Sequence, residues 1–292
     1  MTPSLYAVLT AARAQLASAG IASPDADAVE LASFVLGVPT SEVRRRMVLR
    51  DPIDDVATSR LADLIAERSA RIPLQHLTGR AYFRGLTLAV GPGVFVPRPE
   101  TEVVTGLALE AAREAVAAGI REPVVVDLCT GSGAIALAVK DELPAARILA
   151  VEKSEHAYAW AQRNRELLGL DVELRLGDAV GAFPELAGSV DVVVSNPPYI
   201  PTGQVPIDPE VRNHDPELAL YGGSADGLAI PRLVAACAAT LLKPGGVLVM
   251  EHADAQGPGL SRALASAGDW FDLVDHRDLA GRPRALAGRR AF

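Results

Sequence analysis

The stretch "VVVDLCTGSGAIALAV", residues 124–139, decides the fold, because an apolar strand pattern changes there within a few residues into a helical pattern. Gly131 and Gly133 lie between the two patterns, where a missing Cβ lets the backbone turn tightly and approach a ligand closely. A strand, a glycine turn and a helix in this order predict the start of a βαβ unit. A small-molecule site at the turn is the functional interpretation, and a tight turn without a ligand is the alternative.

Helical and strand patterns alternate along the chain from residue 100 onward. Short apolar strands separated by helices predict a parallel sheet covered on both faces, and hence an α/β fold. In such a sheet, ligands bind beyond the carboxyl ends of the strands, near the point where the strand order switches. The strand patterns lie at 123–128, 147–152, 172–178, 190–196 and 246–251, the helical ones at 101–118, 133–142, 154–168, 227–242 and 254–267, and a strand-rich tail follows.

The N-terminal quarter has a different organisation. Between residues 3 and 72, apolar residues recur three and four positions apart, which predicts helices. From 73 to 99 the pattern first alternates like a strand, in "AYFRGLTLAV", and then becomes rich in proline and glycine. We therefore predict a helical domain at 1–75, a β-rich connector at 76–99 and an α/β domain at 100–292.

Length and charge bound the class of protein. A chain of 292 residues is long enough for about two domains with cores of their own. Its 28 Lys and Arg against 36 Asp and Glu give a net charge of -8, which disfavours non-specific attraction to nucleic acid phosphates. The arginine clusters at 44–46 and 282–290 are solvated faces or partner-docking surfaces. No apolar run approaches about 20 residues, so the sequence predicts no membrane span.

Cysteine and histidine usage argues against a disulfide framework and against a metal site. Cys129 and Cys237 are far apart and neither belongs to a CxxC pair. The five histidines lack the spacing of metal ligands. We expect a protein of the reducing cytoplasm that binds no metal.

Three carboxylates lie at the predicted ends of consecutive strands. Asp127 precedes the glycine turn, where its charge suits a ligand with an ammonium or sulfonium group and disfavours a pyrophosphate. Glu152, twenty-one residues after Gly131, can accept two hydrogen bonds from a ribose diol. Asp178 ends the third strand and can accept from the exocyclic amine of adenine. Together they predict a positively charged nucleoside as the ligand.

The same turn also satisfies the looser fingerprint of dinucleotide-binding proteins. Gly131, Gly133 and Ala136 match G-x-G-x-x-A. A nicotinamide-dependent oxidoreductase is therefore the alternative from another class of enzyme. It leaves Asp127 and the motif at 195–200 unexplained.

The motif "SNPPYI", residues 195–200, places a stiff corner at the end of the fourth strand. Pro197 fixes its own φ and biases Asn196 away from helical geometry, so the corner is set before a ligand arrives. The Asn196 side-chain oxygen and the Pro197 carbonyl supply two neighbouring acceptors for the N–H groups of a planar nitrogen. Tyr199 can pack on the planar group and exclude water. The corner therefore predicts a site that orients an amide or amino nitrogen, and a proline-rich surface turn is the alternative.

These motifs resemble the class I S-adenosylmethionine-dependent methyltransferases over roughly residues 95–290. In such enzymes Asn-Pro-Pro-Tyr implies transfer to a planar nitrogen. The segments "PLQHLTG" at 73–79, "VPRPETE" at 96–102, "NPPYI" and "DGL" at 226–228, in this order, resemble the HemK/PrmC family of protein-glutamine methyltransferases. This resemblance is nearly full length. It implies a Rossmann-like doubly wound sheet with a small all-helical N-terminal domain and a short β connector.

The resemblance also implies the roles of individual residues. S-adenosylmethionine is the implied cofactor, and the substrate is the glutamine of the Gly-Gly-Gln loop of class 1 peptide chain release factors, which the N-terminal helices help to dock. The implied catalytic residues are Asn196, Pro197 and Tyr199; the substrate-binding residues are Asn196, Pro197, Pro198 and Tyr199; and the cofactor-binding residues are Asp127, Cys129, Thr130, Gly131, Ser132, Gly133, Glu152, Asp178, Ala179 and Asn196.

Three positions depart from the family's pattern. Asp215-Pro216 replaces the usual Glu-Pro, Ala179 stands where an aromatic residue is frequent, and Cys129 stands where glycine is usual. A cysteine makes the turn less permissive, because only glycine adopts positive φ without strain.

Two alternatives remain within the methyltransferases, namely a ribosomal protein glutamine and an amino group of a nucleic acid base. A cofactor-binding scaffold without activity is a further alternative. The acidic balance disfavours nucleic acid. We expect a cytoplasmic monomer with no stable nucleic acid or membrane contact.

Overall fold

The computed structural model describes residues 2–291, which form two compact units. One unit extends to Arg80 and also contains Pro206–His214, and the other comprises Ala81–Val205 and continues from Asp215. The helices are α1 (Leu5–Ser18), α2 (Pro24–Leu36), α3 (Thr40–Leu49), α4 (Asp55–Ser69), α5 (Leu74–Thr78), α6 (Thr101–Ala117), α7 (Ala134–Glu142), α8 (Glu155–Leu168), α9 (Pro209–His214), α10 (Ala229–Leu241) and α11 (Gly257–Ala267). The strands are β1 (Arg80–Phe83), β2 (Leu86–Ala89), β3 (Val124–Leu128), β4 (Arg147–Glu152), β5 (Val172–Leu176), β6 (Val190–Ser195), β7 (Leu242–Glu251), β8 (Trp270–Arg277) and β9 (Pro283–Arg290).

The first unit is helical, as the spacing of apolar residues between 3 and 72 predicts. Its helices begin at residues that satisfy free backbone N–H groups: the side chains of Ser4 and Asp54 accept from the backbone at the starts of α1 and α4. Gly37 ends α2 in the left-handed conformation. Leucines spaced along α1, α2 and α4 pack into one apolar cluster of this unit.

A buried ion network holds α9 within this unit. The Arg68 guanidinium donates to Asp27 at 2.8 Å and to Glu210 at 2.7 Å, and Arg71 donates to the other oxygen of Glu210 at 2.6 Å. Burial raises the pKa of Glu210, but its hydrogen bonds with Asp208 and Arg68 outweigh burial and lower the pKa to about 2. The network explains why a segment that follows β6 in the chain belongs to the helical unit, which the sequence analysis did not predict.

The connector predicted at 76–99 contains a short hairpin of β1 and β2. Arg84 and Gly85 form its tip with φ of 48° and 81°, values that suit the mirror-image turns of two-residue hairpins. The end of α5 also lies in this range, and Gly79 terminates that helix in the left-handed conformation. The predicted boundaries after residues 75 and 99 stay predictions.

The second unit contains a seven-stranded sheet in the order β5-β4-β3-β6-β7-β9-β8. The strands from β5 to β7 are parallel, and β9 pairs antiparallel with both β7 and β8. All six residues of β6 are buried, as expected for a central strand covered by helices on both faces. Chain order reverses between β3 and β6, so the predicted doubly wound α/β fold is confirmed.

None of the helices in residues 2–291 is both long enough and apolar enough to cross a bilayer. The same residues contain no cluster of three or more His, Cys, Asp or Glu side chains arranged to hold a metal ion.

Candidate functional site

The glycine turn follows β3 and leads into α7. Its backbone takes positive φ at three positions, 67° at Cys129, 60° at Gly131 and 85° at Gly133. A Cβ at Gly131 would meet no atom within 4 Å, so this position faces open space, whereas a Cβ at Gly133 would lie 3.0 Å from the Leu137 side chain. Gly133 therefore permits close packing of the turn on α7, and Gly131 leaves an open backbone surface that a ligand can approach.

Asp127 is completely buried beneath this turn. Its Oδ2 accepts from the Thr130 hydroxyl at 2.6 Å and from the Ala136 backbone N–H at 3.2 Å. Burial raises the pKa of this carboxyl to about 7. The contacts show Asp127 fixing the shape of the turn, and the preference for a cation that the sequence suggests for it stays a prediction.

Glu152 lies at the end of β4, beside the turn. Its two carboxylate oxygens accept from the backbone N–H groups of Gly131 at 2.8 Å and Ser154 at 2.7 Å. Burial raises the pKa of Glu152, and the backbone hydrogen bonds oppose that effect. Each oxygen retains a further lone pair, so the carboxylate can still accept from a ribose hydroxyl.

Asp178 and Ala179 follow β5. Asp178 is exposed and accepts from Lys153 Nζ at 2.8 Å and from the Val180 backbone N–H at 2.9 Å. The hydrogen bond from Lys153 lowers the pKa of Asp178, which therefore stays ionised. Ala179 is buried in the apolar cluster on one face of the sheet, so its methyl group offers no aromatic surface.

The asparagine corner begins directly after β6. The buried Ser195 hydroxyl donates to the Leu128 carbonyl at 2.6 Å and ties the end of β6 to the end of β3. The Asn196 Nδ2 group donates to Thr101 Oγ1 at 3.3 Å. Within residues 2–291, no hydrogen bond occupies Asn196 Oδ1 or the Pro197 carbonyl, so both acceptors are available to a ligand.

A buried carboxylate supports this corner from the neighbouring strand. Glu251, the last residue of β7, accepts from the Thr101 hydroxyl at 2.7 Å and from the Tyr199 hydroxyl at 3.2 Å. Burial raises the pKa of Glu251 to about 7 and raises that of the Tyr199 phenol further above its ordinary value. Tyr199 therefore stays protonated and does not serve as a base.

The backbone after the corner is also held in place. Gln256 donates to the carbonyls of Tyr199 at 2.7 Å and Asp226 at 2.8 Å. A Cβ at Gly227 would lie 2.1 Å from the Tyr199 carbonyl, which explains the glycine of the "DGL" segment. Asp215, in the Asp-Pro pair that replaces the family's usual Glu-Pro, accepts a hydrogen bond from Arg98 at 2.7 Å.

Sheet register brings most of the predicted residues to one edge. Leu128 of β3 pairs with Val151 of β4 and with Ser195 of β6, so the glycine turn, Glu152 and the asparagine corner leave the sheet at the same level. Asp178 leaves one strand further out, after β5. The predicted cofactor and substrate residues are therefore neighbours in space, as the strand-end rule requires.

Thr101 and Glu251 were missed by the sequence analysis. Thr101 lies within "VPRPETE", but the motif gave it no predicted role. Glu251 ends a predicted strand, as the three carboxylates predicted to bind the cofactor do. Ser195 pairs with Met250, so Glu251 ends β7 at the level where Asn196 follows β6. The strand-end rule applied to every strand would have found Glu251.

Comparison with known proteins identifies the family to which this chain belongs. The PrmC N-terminal domain family matches residues 7–79, and the methyltransferase small domain family matches residues 86–208. A curated protein of Streptomyces coelicolor, named release factor glutamine methyltransferase, is 51% identical over 99% of this chain and 99% of its own length. The chain belongs to the release factor glutamine methyltransferase family. The HemK/PrmC resemblance of the sequence motifs is thereby confirmed.

One relative of this chain is named for a different substrate. A protein of Streptomyces pristinaespiralis named 4-amino-L-phenylalanine/4-methylamino-L-phenylalanine methyltransferase is 40% identical over 92% of this chain and 89% of its own length. A crystal structure of a methyltransferase from Pyrococcus furiosus aligns with 78% of this chain and 100% of that chain, at a TM-score of 0.53 and 19% identity. The structural likeness supports the fold alone.

The residues at the sheet edge fit S-adenosylmethionine. Gly131 offers an open backbone surface, and Glu152 offers carboxylate oxygens at the distance along the chain expected for a ribose partner. The exposed, ionised Asp178 has acceptor oxygens of the kind that an exocyclic adenine amine requires.

Proposed function

We propose that this chain transfers a methyl group from S-adenosylmethionine to the side-chain nitrogen of the glutamine in the Gly-Gly-Gln loop of class 1 peptide chain release factors. Family membership at 51% identity over nearly the whole chain supports the substrate class. The observation that carries the chemistry is the asparagine corner, where Asn196 Oδ1 and the Pro197 carbonyl are acceptors without a partner in residues 2–291.

A carboxamide nitrogen is a poor nucleophile because its lone pair is delocalised into the carbonyl. Two acceptors on the corner can hold both N–H groups and leave the lone pair directed at the donor. When bound, S-adenosylmethionine supplies an electrophilic methyl carbon on a sulfonium centre. Alignment of this kind contributes several kcal/mol through proximity and orientation, about the scale of effective molarity effects.

The chain needs no general base in this scheme. The amide nitrogen becomes acidic once it carries the methyl group, and it then releases its proton to water. Glu251 is not the base in this scheme, because its oxygens accept hydrogen bonds from Thr101 and Tyr199. The Tyr199 ring, held by that contact, packs on the planar carboxamide and excludes water from it.

The cofactor-binding roles belong to the same proposal. The turn from Cys129 to Gly133 holds the amino acid part of the donor, Glu152 the ribose, and Asp178 with Ala179 the adenine. The proposed place of Asn196 is between donor and acceptor, and the hydrogen bond from Ser195 to the Leu128 carbonyl supports it by tying the end of β6 to the end of β3. Pro198, buried behind the corner, keeps the acceptors rigid.

The helical unit is the proposed docking surface for the release factor. Val48 and Leu49 at the end of α3 and Val56 at the start of α4 are exposed, Val48 by 81% and Val56 by 80%. The backbone N–H of Leu5 donates to the Asp51 carbonyl, so the start of α1 lies beside the same loop. These apolar side chains, next to the arginines at 44–46, suit a protein partner rather than nucleic acid.

A cytoplasmic location follows from this proposal, because release factors act in translation. The proposed roles need no residue from a second copy, and we expect a monomer. The net charge of -8 supports the absence of stable nucleic acid binding.

Labelling with methyl-tritiated S-adenosylmethionine tests the function. The acceptors to compare are an intact release factor, the same factor with Ala in place of Gln in its Gly-Gly-Gln loop, a ribosomal protein, DNA and 4-amino-L-phenylalanine. We expect label on the intact release factor alone. Label that persists on the Ala variant, or that appears on another acceptor and not on the release factor, overturns the proposal.

A further inference from the structure

Glu251 is linked to the asparagine corner by hydrogen bonds through Thr101 and Tyr199. It is 2% exposed, and its two oxygens accept from different elements: Oε2 from Thr101 at the start of α6 and Oε1 from Tyr199 after β6. An acid in this position is costly to bury, so its retention needs an explanation beyond packing.

The direction of the hydrogen bonds supplies that explanation. An ionised carboxylate can only accept, so the Thr101 hydroxyl must give its single proton to Glu251, 2.7 Å away. The Thr101 oxygen then has only lone pairs to offer to Asn196, which must present its N–H at 3.3 Å. The opposite orientation of the amide would place its oxygen against those lone pairs. The Asn196 carbonyl oxygen is therefore turned away from Thr101, toward the open side of the corner.

We propose that Glu251 is a positioning residue that sets the orientation of the Asn196 amide through Thr101, and thereby presents an oxygen rather than an NH₂ group to the substrate nitrogen. This inference rests on the proposed function, because it assigns Asn196 Oδ1 to the acceptor's N–H. Glu251 touches neither substrate nor donor, and it acts only through the direction of two hydrogen bonds. Its second bond fixes the hydroxyl of Tyr199 in the same manner.

The charge on Glu251 is the part of this device that responds to pH. Burial raises its pKa to about 7, opposed by the hydrogen bond from Thr101, the positive charge of Arg284 and the hydrogen bond from Tyr199, and assisted by the negative charge of Glu100. Below that pKa the carboxyl gains a proton and becomes a donor. Thr101 can then donate to Asn196, and the amide loses its fixed orientation. We therefore expect kcat to rise with pH through about 7 and then to level off.

Asp127 has a pKa near the same value, so the pH profile alone does not identify the group. Glu251→Gln separates the two. Gln keeps the shape but can either donate to Thr101 or accept from it, so both amide orientations become populated. We expect kcat to fall about tenfold or more, the equivalent of one hydrogen bond. The rise of kcat with pH should disappear in this variant, while the KM for the release factor and the Kd for S-adenosylmethionine stay within about threefold, because neither ligand contacts Glu251.

Three further variants keep the test independent of folding. Thr101→Val removes the hydroxyl at nearly constant volume and should reproduce the loss of kcat, and Thr101→Ser keeps the hydroxyl and should restore most of it. Glu114→Gln, on the exposed face of α6, is the matched control and should leave the kinetics unchanged. Thermal unfolding of each variant reports whether the fold is intact.

The outcomes distinguish this inference from the proposed function. If the wild-type chain fails to label the release factor, the proposed function fails. If it labels the release factor but Glu251→Gln keeps the wild-type kcat and pH profile, the positioning role of Glu251 is wrong and the proposed function stands. A Glu251→Gln variant that loses kcat but retains the rise with pH also overturns the inference, because the titrating group is then another residue.

Discussion

Replacement of Asn196 by alanine removes one of the two acceptors that the corner presents to the substrate. The amide donates to Thr101 at 3.3 Å and leaves Oδ1 open, so the change deletes one hydrogen bond to the substrate and one within the protein. Loss of one preorganised hydrogen-bonding group in a water-excluded site costs about 3 kcal/mol in the transition state, or two to three orders of magnitude in kcat. Loss of the internal bond should lower the free energy of unfolding by only about 1 kcal/mol.

The assay for this variant is steady-state methylation of a release factor at saturating S-adenosylmethionine, with cofactor affinity measured separately by calorimetry. We expect kcat to fall by about 10²-fold or more while the cofactor Kd changes by less than about tenfold, because the turn and Glu152 remain. Asn213→Ala, an exposed amide on α9, is the matched control. A kcat within threefold of wild type in Asn196→Ala would refute the role of the corner.

Three further changes test other parts of the structure. In urea titrations, Cys129→Val should lower the free energy of unfolding by about 2 kcal/mol, because a β-branched side chain is strained at a φ of 67°. Cys129→Gly should change the free energy of unfolding by less than about 1 kcal/mol. Equal effects of the two substitutions would show that strain at this φ is not the cause. Arg68→Met leaves the carboxylates of Asp27 and Glu210 buried without their shared cation, and should cost about 3–5 kcal/mol at pH 7. The pKa of Glu210 is lowered to about 2, so the stability that this ion pair contributes is present above the ordinary carboxyl pKa of about 4.3 and is lost as pH falls toward 2. The difference in free energy of unfolding between Arg68→Met and wild type should therefore shrink in urea titrations at decreasing pH. A difference that stays constant with pH would contradict this role of the ion pair. Val48→Asp should raise the KM for the intact release factor about tenfold and leave the KM for a short Gly-Gly-Gln peptide unchanged, and an equal rise for both would argue against docking on the helical unit.

The fold was predictable from local patterns. Apolar runs such as 190–195 and the glycine turn after Leu128 indicate parallel strands and helices in alternation, which is the arrangement that the sheet from β5 to β7 shows. The edge that carries Asp127, Glu152 and Asn196 was predictable for the same reason, because parallel strands end at one side of the sheet.

The contacts that complete the site were less accessible to sequence reasoning. Thr101 reaches Asn196 across 95 positions of the chain, and no periodic pattern links a residue at a helix start to a strand end. Glu210 binds Arg68 across 142 positions of the chain. Because of this contact, α9 belongs to the helical unit although it follows β6 in the sequence. Such pairs form only through tertiary packing. A single polar or charged residue in the sequence does not indicate which distant residue is its partner. Cys129 was recognised as a departure from glycine, and its φ of 67° shows where the strain lies.

A crystal structure of the chain with S-adenosylhomocysteine and a Gly-Gly-Gln peptide is the decisive test of the asparagine corner. We expect the glutamine side-chain nitrogen to lie within about 3 Å of both Asn196 Oδ1 and the Pro197 carbonyl, with its free face toward the sulfur of the cofactor product. A peptide whose carboxamide is bound elsewhere, or whose oxygen rather than nitrogen faces Asn196, would contradict it.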